Sequence, residues 1–278
     1  MRVVIRGAGD LASGVALRLW RAGMDVVLLD VEKPTAIRRT VAFSEAIVHG
    51  KQTVEDVTAR LATAETAKET LAAGMIPVLV DPEDRSIPTL RPDALVDAIL
   101  AKRNLGTKIT DAPVVIGVGP GFTAGVDCHA VVETMRGHTL GRVIREGSAI
   151  PNTGIPGLIG GFAGERVLRA PAAGLFHPLR DIGDAVTEGE ILATVAGQPM
   201  TATLTGTLRG ILTEGTEVFP GMKAGDIDPR CQRSHCFTAS DKALAVGGGV
   251  LEAILALTGA LRETGIRHTG GEREEDHV

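Results

Sequence analysis

The sequence predicts an α/β protein in two parts, a parallel-sheet domain followed by a small β barrel and closed by a C-terminal helix. Three observations predict it. Short β-branched runs alternate with helical segments through the first half. A glycine turn joins the first of these runs to the first helix. From about residue 168 the pattern changes to short strands and turns that repeat at an offset of 32 residues. With 35 Gly and 14 Pro in 278 residues, many tight turns are expected, yet the share stays below that of a low-complexity chain. One Trp, six Phe and no Tyr leave an aliphatic core.

Composition also excludes. A net charge of -5 and few aromatics argue against a nucleic-acid partner, whether backbone-tracking or base-stacking. No apolar run reaches the length of a membrane span, so no membrane partner is expected. The chain enters a strand at once after Met1, which predicts no signal peptide. Three cysteines without framework spacing suit a reducing compartment, and a cytoplasmic location is expected.

Val3-Val4-Ile5 reads as the first strand and Val15 to Gly23 as a helix, with Val15, Leu19 and Ala22 on one face. Met24 to Asp30 is a second strand closed by an acid. Between strand and helix, Gly7, Gly9 and Ala12 fill the three positions of G-x-G-x-x-G/A. Gly7 permits the tight turn, Gly9 lets a phosphate approach the backbone, and Ala12 keeps helix and strand close. Asp10 and Leu11 open the helix, whose free N–H groups suit an anion. Asp10 would repel a phosphate unless it points away or caps the helix. Asp30 lies near the spacing at which an acid meets a ribose hydroxyl. These features predict a Rossmann-like nucleotide-binding domain over residues 1–150.

Arg38 and Arg39 follow the second strand, where an arginine could meet a phosphate; a solvated surface pair is the equal alternative. Thr53 to Ala73 reads as one long helix or a broken pair, Met75 to Val80 as a strand, Arg91 to Arg103 as a helix and Val114 to Val118 as a strand. A second glycine loop follows, with Gly119 and Gly121 at the carboxyl edge of the sheet, where ligands bind; a structural turn is the alternative. Cys128, beside that loop, is a candidate nucleophile, against the commoner packed thiol.

In the second half, Gly174, Gly183, Val186 and Gly189 recur as Gly206, Gly215, Val218 and Gly221, which suggests two copies of one unit about a pseudo-twofold axis. The stretch Leu168 to Gly189 resembles the biotinyl/lipoyl barrel-sandwich hybrid, placed at residues 165–228. The carrier hairpin, Val195 to Met200, has no lysine, so the scaffold is expected without the swinging arm. Asp226, Asp228 and Arg230 read as a polar loop over a site, and Cys231, His235 and Cys236 lack the second ligand pair of a zinc site. Residues 238–262 are expected to form a helix that packs back on the first domain, and residues 263–278 a disordered tail.

Several blocks together carry a wider resemblance: Arg6 to Gly14, Glu32 to Arg39, Gly119 to Phe122, Glu133 to His138, Asp226 to Arg230, and Ser240 to Lys242. From residue 1 to about 262 the chain resembles the YqeB-type family of selenium-dependent molybdenum hydroxylase accessory proteins. The resemblance implies a maturation role, with a molybdenum hydroxylase or its cofactor-maturation machinery as partner. It implies no catalytic residue set; Cys128, Asp226, Asp228 and Arg230 are candidates by residue type and place alone. The fingerprint points to a nucleotide as the ligand, and the resemblance implies that it could be a molybdopterin dinucleotide. An NAD-dependent oxidoreductase is the alternative, favoured by Asp30 but lacking an obvious acid–base set. A non-catalytic adaptor and a sulfur- or selenium-transfer protein acting through a cysteine are the others. The sequence allows a homo-oligomer.

Overall fold

The structure, a computed structural model, describes residues 1–154 and 157–260. It is a mixed α/β fold with one large sheet, a smaller all-β unit and a C-terminal helix. The sheet strands are β1 (Arg2–Arg6), β2 (Asp25–Asp30), β3 (Lys51–Val54), β4 (Val57–Leu61), β5 (Ile76–Val80), β6 (Ala94–Asp97), β7 (Val114–Val118), β9 (Ala130–Val132) and β10 (Val143–Ile144). A short β8 (Thr123–Ala124) pairs instead with β11 (Gly147–Ser148). The helices are α1 (Asp10–Arg21), α2 (Glu45–His49), α3 (Ala67–Ala72), α4 (Ile87–Leu90) and α5 (Asp241–Thr258).

The strand order is β10-β9-β7-β6-β1-β2-β5-β4-β3, with β4 to β9 parallel throughout and antiparallel β3 and β10 at the edges. Val3, Val4, Ile5, Val26, Val27, Leu28, Val115 and Ile116 are wholly buried, as strands covered on both faces require. The chain winds outward from β1 through β2 and β5, then returns to lay β6 on the other side of β1. Winding therefore reverses between β1 and β6. The loops leaving these strands part there and open a crevice at the carboxyl edge.

Two sequence expectations are corrected. Residues 53–73 are mainly a β3–β4 hairpin, turning at Glu55 (φ 57°), and only Ala67–Ala72 is helical. The β-branched pairs Thr53-Val54 and Val57-Thr58 set the local choice, which the Ala/Glu/Lys average of the longer window hid. Residues 91–103 contain β6, not a helix. A fully buried apolar run has no period to distinguish strand from helix, and left-handed Leu100 (φ 64°) and Lys102 (φ 62°) stop any helix after it.

α5 is capped by Ser240, whose hydroxyl accepts the Ala243 N–H at 3.1 Å, and ends at left-handed Gly259. It lies along α1 with both N-termini at the same end. Small residues permit the approach: a Cβ on Gly14 would meet Ala243 at 2.5 Å, and one on Gly249 would meet the Gly141 carbonyl oxygen at 2.1 Å. Gly249→Ala is expected to destabilise the fold by about 1–3 kcal/mol, measured by urea unfolding. Gly248→Ala, with nothing within 4 Å, is expected to be neutral or stabilising. The 263–278 tail lies outside the described residues.

The all-β unit comprises β12 (Val167–Arg169), β13 (Gly174–Pro178), β14 (Ala185–Val186), β15 (Ile191–Val195), β16 (Gln198–Thr201), β17 (Gly206–Ile211), β18 (Glu217–Val218) and β19 (Lys223–Asp228). Its antiparallel sheets, β12-β19-β17-β14 and β16-β15-β13-β18, enclose Phe176, Leu192, Val195, Leu208, Ile211 and Ile227. The 32-residue offset is visible in the pairing. Gly174 pairs with Val218 and Gly206 with Val186; Phe176 pairs with Val195 and Leu208 with Ile227. Each sheet thus takes two strands from each copy, so neither copy encloses the core alone.

The unit docks on the loop after β2. The Ile211 N–H donates to the Ile37 carbonyl at 2.8 Å, and Arg39 Nε donates to the Ile211 carbonyl at 2.9 Å. Gly210 is required here, because a Cβ would lie 2.8 Å from the Ile37 oxygen.

Candidate functional site

Where the β unit meets the sheet edge there are two adjoining cavities, of about 720 and 270 Å³, which share Leu11, Arg136, Gly157, Val167, Lys223 and Lys242 as walls. The fold explains the convergence. Leu11 stands in the first turn of α1, and Lys242 in the first turn of α5. Leu100 and Lys102 come from the loop after β6, Pro120 from the glycine loop after β7, and Thr134 to Arg136 from the loop after β9. Arg169 ends β12 and Lys223 begins β19. The site is thus a cleft at the carboxyl edge, roofed by the β unit, in the size range of small-molecule pockets.

Its charge runs against that of the whole chain. Lys102, Arg136, Arg169, Lys223 and Lys242 face the wider cavity, and among the described residues no carboxylate does. Neither Lys223 nor Lys242 has an ion-pair partner within 4 Å among the described residues. Crowding by protein pushes both ammonium groups below the ordinary lysine pKa; Arg136 adds to the effect at Lys242, and Arg209 and Arg166 at Lys223. Both effects favour an anion in the cleft.

The loop bearing Arg136 is held firmly. Buried Glu133 accepts the N–H groups of Thr134, Met135 and Ile150 at 2.6–2.8 Å. Arg136 forms a two-pronged pair with Asp241 at 2.7 and 3.0 Å, and this bond holds the Asp241 carboxyl down at about 2.

The sequence-predicted residues divide between wall and support. Leu11 lines both cavities and Asp10 the smaller one. Asp10 accepts the Leu11 N–H at 2.9 Å and sits 3.5 Å from Arg38, so its charge is partly answered. Gly9 is the helix N-cap at φ -67°, and no protein atom would lie within 4 Å of a Cβ there. Gly7 (φ 96°) donates its N–H to the Leu29 carbonyl, and a Cβ would meet the Ala98 carbonyl at 2.9 Å. Ala12 is a buried residue of the first turn of α1. Asp30 accepts the N–H groups of Ala8 and Val31, both at 2.8 Å, and burial raises its pKa against those bonds. It therefore braces the glycine turn.

Arg38 is buried and lines the smaller cavity, bonding the His235 and Thr238 carbonyls. Arg39 joins the two units through Ile211, so neither arginine is the solvated surface residue of the alternative reading. Gly119 (φ 81°) and Gly121 (φ 113°) are packing glycines: a Cβ would meet Thr134 Oγ1 at 2.8 Å and the Arg103 backbone at 2.6 Å. Of that loop it is Pro120 that reaches the cavity. Asp226 lines the smaller cavity, held by Arg166 (3.0 Å) and Arg209 (2.6 Å). Asp228 is fully buried against Arg230 and Arg209; burial would raise its pKa, but the Arg230 side chain and backbone bonds prevail and hold it well below the carboxylate range.

Cys128 is buried under the glycine loop, away from the cleft walls, and burial raises its thiol to about 11. Cys236 is buried as well, whereas Cys231 is exposed. Iodoacetamide is expected to label Cys231 in the folded protein and to spare Cys128 and Cys236 until denaturant is added. Peptide mass mapping reads this, and rapid native labelling of Cys128 would contradict its placement.

Sequence reasoning did not select Lys223, Lys242, Arg136 and Arg169 as site residues. A signal for three of them was present: Arg136 and Lys242 sit inside blocks that carried the family resemblance, and Lys223 lies three residues before another. Their convergence depends on docking that no local pattern encodes.

No family model matches the chain. It is 56% identical over 256 residues to "Uncharacterized protein YqeB" of Escherichia coli (strain K12), a match covering 92% of this chain. The chain spans about half the length of that relative, 47%. Solved structures give only distant likeness. An aspartoacylase family protein from Mesorhizobium loti is 10% identical, over 81% of this chain and 84% of its own, with a TM-score of 0.27. A succinylglutamate desuccinylase/aspartoacylase from Rhodobacter sphaeroides is 15% identical over the same shares, also at 0.27. At such scores the strand pairing itself carries the description of the fold.

Proposed function

The chain belongs to the YqeB-type family, and from that premise we propose that it is an accessory protein in the maturation of a selenium-dependent molybdenum hydroxylase, binding a nucleotide or pterin dinucleotide in the basic cleft. The observation that carries the ligand class is the wider cavity: five cationic side chains, no facing carboxylate among the described residues, and a wall of Leu11, Leu100, Met135, Ile150 and Leu158 for an apolar ring system. The maturation role is what the family resemblance adds.

Two finer readings of the fold accompany this. The order β5-β2-β1-β6-β7-β9 supports a Rossmann-like assignment, since it follows the doubly wound order 3-2-1-4-5-6. The exchanged repeat supports a biotinyl/lipoyl-like scaffold. Its β15–β16 hairpin turns at Ala196-Gly197, without a lysine to modify.

An NAD-dependent oxidoreductase is less well supported, because Asp30 is already engaged with the turn backbone. The adaptor reading draws on a separate observation: Leu175, Leu179, Ile191 and Phe219 are large apolar side chains exposed on the β unit, where a hydroxylase could dock. Gene deletion separates these readings. Loss of hydroxylase activity, restored by the wild-type gene and not by Lys242→Glu, supports the cleft-dependent role. Full restoration by Lys242→Glu shifts the function to the docking surface, and undiminished hydroxylase activity after deletion overturns the maturation role.

A further inference from the structure

The smaller cavity differs in kind from the larger. It lies at the shared end of α1 and α5, where both helices present the positive ends of their dipoles. Six cationic side chains line it: Arg38, Arg136, Arg166, Arg209, Lys223 and Lys242. Two carboxylates face them, Asp10 and Asp226. Asp226 is already shared by Arg166 and Arg209, and Asp10 stands 3.5 Å from Arg38. Arg38 is 93% buried by its 7% exposure, and its Nε has no hydrogen-bond partner. Arg136 is paired with Asp241 and Arg209 also meets Asp228, which leaves Lys223 and Lys242 without a carboxylate partner among the described residues. Such an excess of positive charge in a half-open pocket is unfavourable when empty and favourable around an oxyanion.

We infer that this chamber is an oxyanion site that takes a phosphate or pyrophosphate group, completed only when the β unit is docked. The inference deepens the proposed function, because a dinucleotide lying in the wider cavity can place its pyrophosphate here, and it also admits a free anion. The groups come from three separate parts of the chain. Arg38 belongs to the sheet domain, Arg166, Arg209 and Lys223 to the β unit and its approach, and Lys242 to α5. An anion bound to all three ties them together, so occupancy stabilises the docked arrangement.

The test is thermal unfolding of the full chain with inorganic phosphate and pyrophosphate at constant ionic strength. Wild type is expected to show a saturable rise in melting temperature, about 5 °C at saturating pyrophosphate. Lys223→Ala and Lys242→Ala are expected to melt near wild type without ligand and to bind pyrophosphate at least tenfold more weakly. Leu158→Ser, which changes only the wider cavity, is expected to keep the response. No saturable rise in wild type, or an equal rise in both lysine variants, overturns the inference. Should a lysine variant fail to fold, calorimetric titration of the other decides.

The two claims fail separately. If pyrophosphate binds and no nucleotide or pterin does, the chamber is a free-anion site and the ligand reading falls. If a dinucleotide binds wild type and both lysine variants equally, the ligand reading stands and the chamber is not its anion site.

Discussion

Asp226→Ala is expected to destabilise the protein by about 3–5 kcal/mol, the cost of stripping the partner from a buried ion network. Asp226 is 2% exposed and holds two guanidinium groups, Arg166 and Arg209, that are themselves buried. Removing the carboxylate leaves Arg166 enclosed without an ion-pair partner among the described residues and Arg209 with only Asp228 at 3.5 Å, beside four further cations. Urea unfolding measures the loss. A change under about 1 kcal/mol would show that water reaches these arginines and that the network does not hold the β unit. Added pyrophosphate is expected to recover part of the loss.

Acid should act on the same network. Asp228 has a folded pKa depressed below its unfolded value, so its contribution is present above the unfolded pKa and is lost as pH falls through the folded one. Stability is expected to decline from about pH 4 downward, and Asp228→Asn should flatten that decline.

Gly9→Val is the second large effect, on ligand binding and not on folding. The backbone at Gly9 is one that valine adopts, and no protein atom crowds the new Cβ. The glycine is unexplained by packing, unlike Gly7, Gly119 and Gly121, whose surroundings exclude a side chain. A position kept open at the N-terminus of α1 suits the close approach of a ligand phosphate. Gly9→Val is expected to lower affinity for the anionic ligand about 100-fold, near 2.7 kcal/mol, while the melting temperature without ligand stays within a degree or two. Undiminished affinity would make the fingerprint a structural turn alone.

How much was legible depends on range. The β1–α1–β2 unit was readable because its signals are local: a β-branched run, a glycine turn, a helix face and a closing acid within thirty residues. The repeat was readable because self-similarity survives any error about individual strands, and the paired registers at Gly174–Val218 and Gly206–Val186 carry the same offset. β6 was misread because both its faces are buried, which erases period. The β3–β4 hairpin was misread because two β-branched pairs outweighed the composition of a wide window. At the site, two residues selected as ligand contacts also make bonds within the protein that no local pattern announces: Asp30 braces the turn and Arg39 fastens the β unit. Lys223 and Lys242 lie 19 residues apart in sequence and meet only through docking of the β unit and packing of α5 on α1.

The central claim is that the cleft holds an anionic, nucleotide-bearing ligand. Native mass spectrometry of the purified full chain, followed by calorimetric titration with NAD, NADP, ATP and molybdopterin dinucleotides, tests it most directly. One of these is expected to bind one-to-one, with affinity lost in both Gly9→Val and Lys242→Ala. No binding by any of them, or binding that both variants retain in full, would contradict the account.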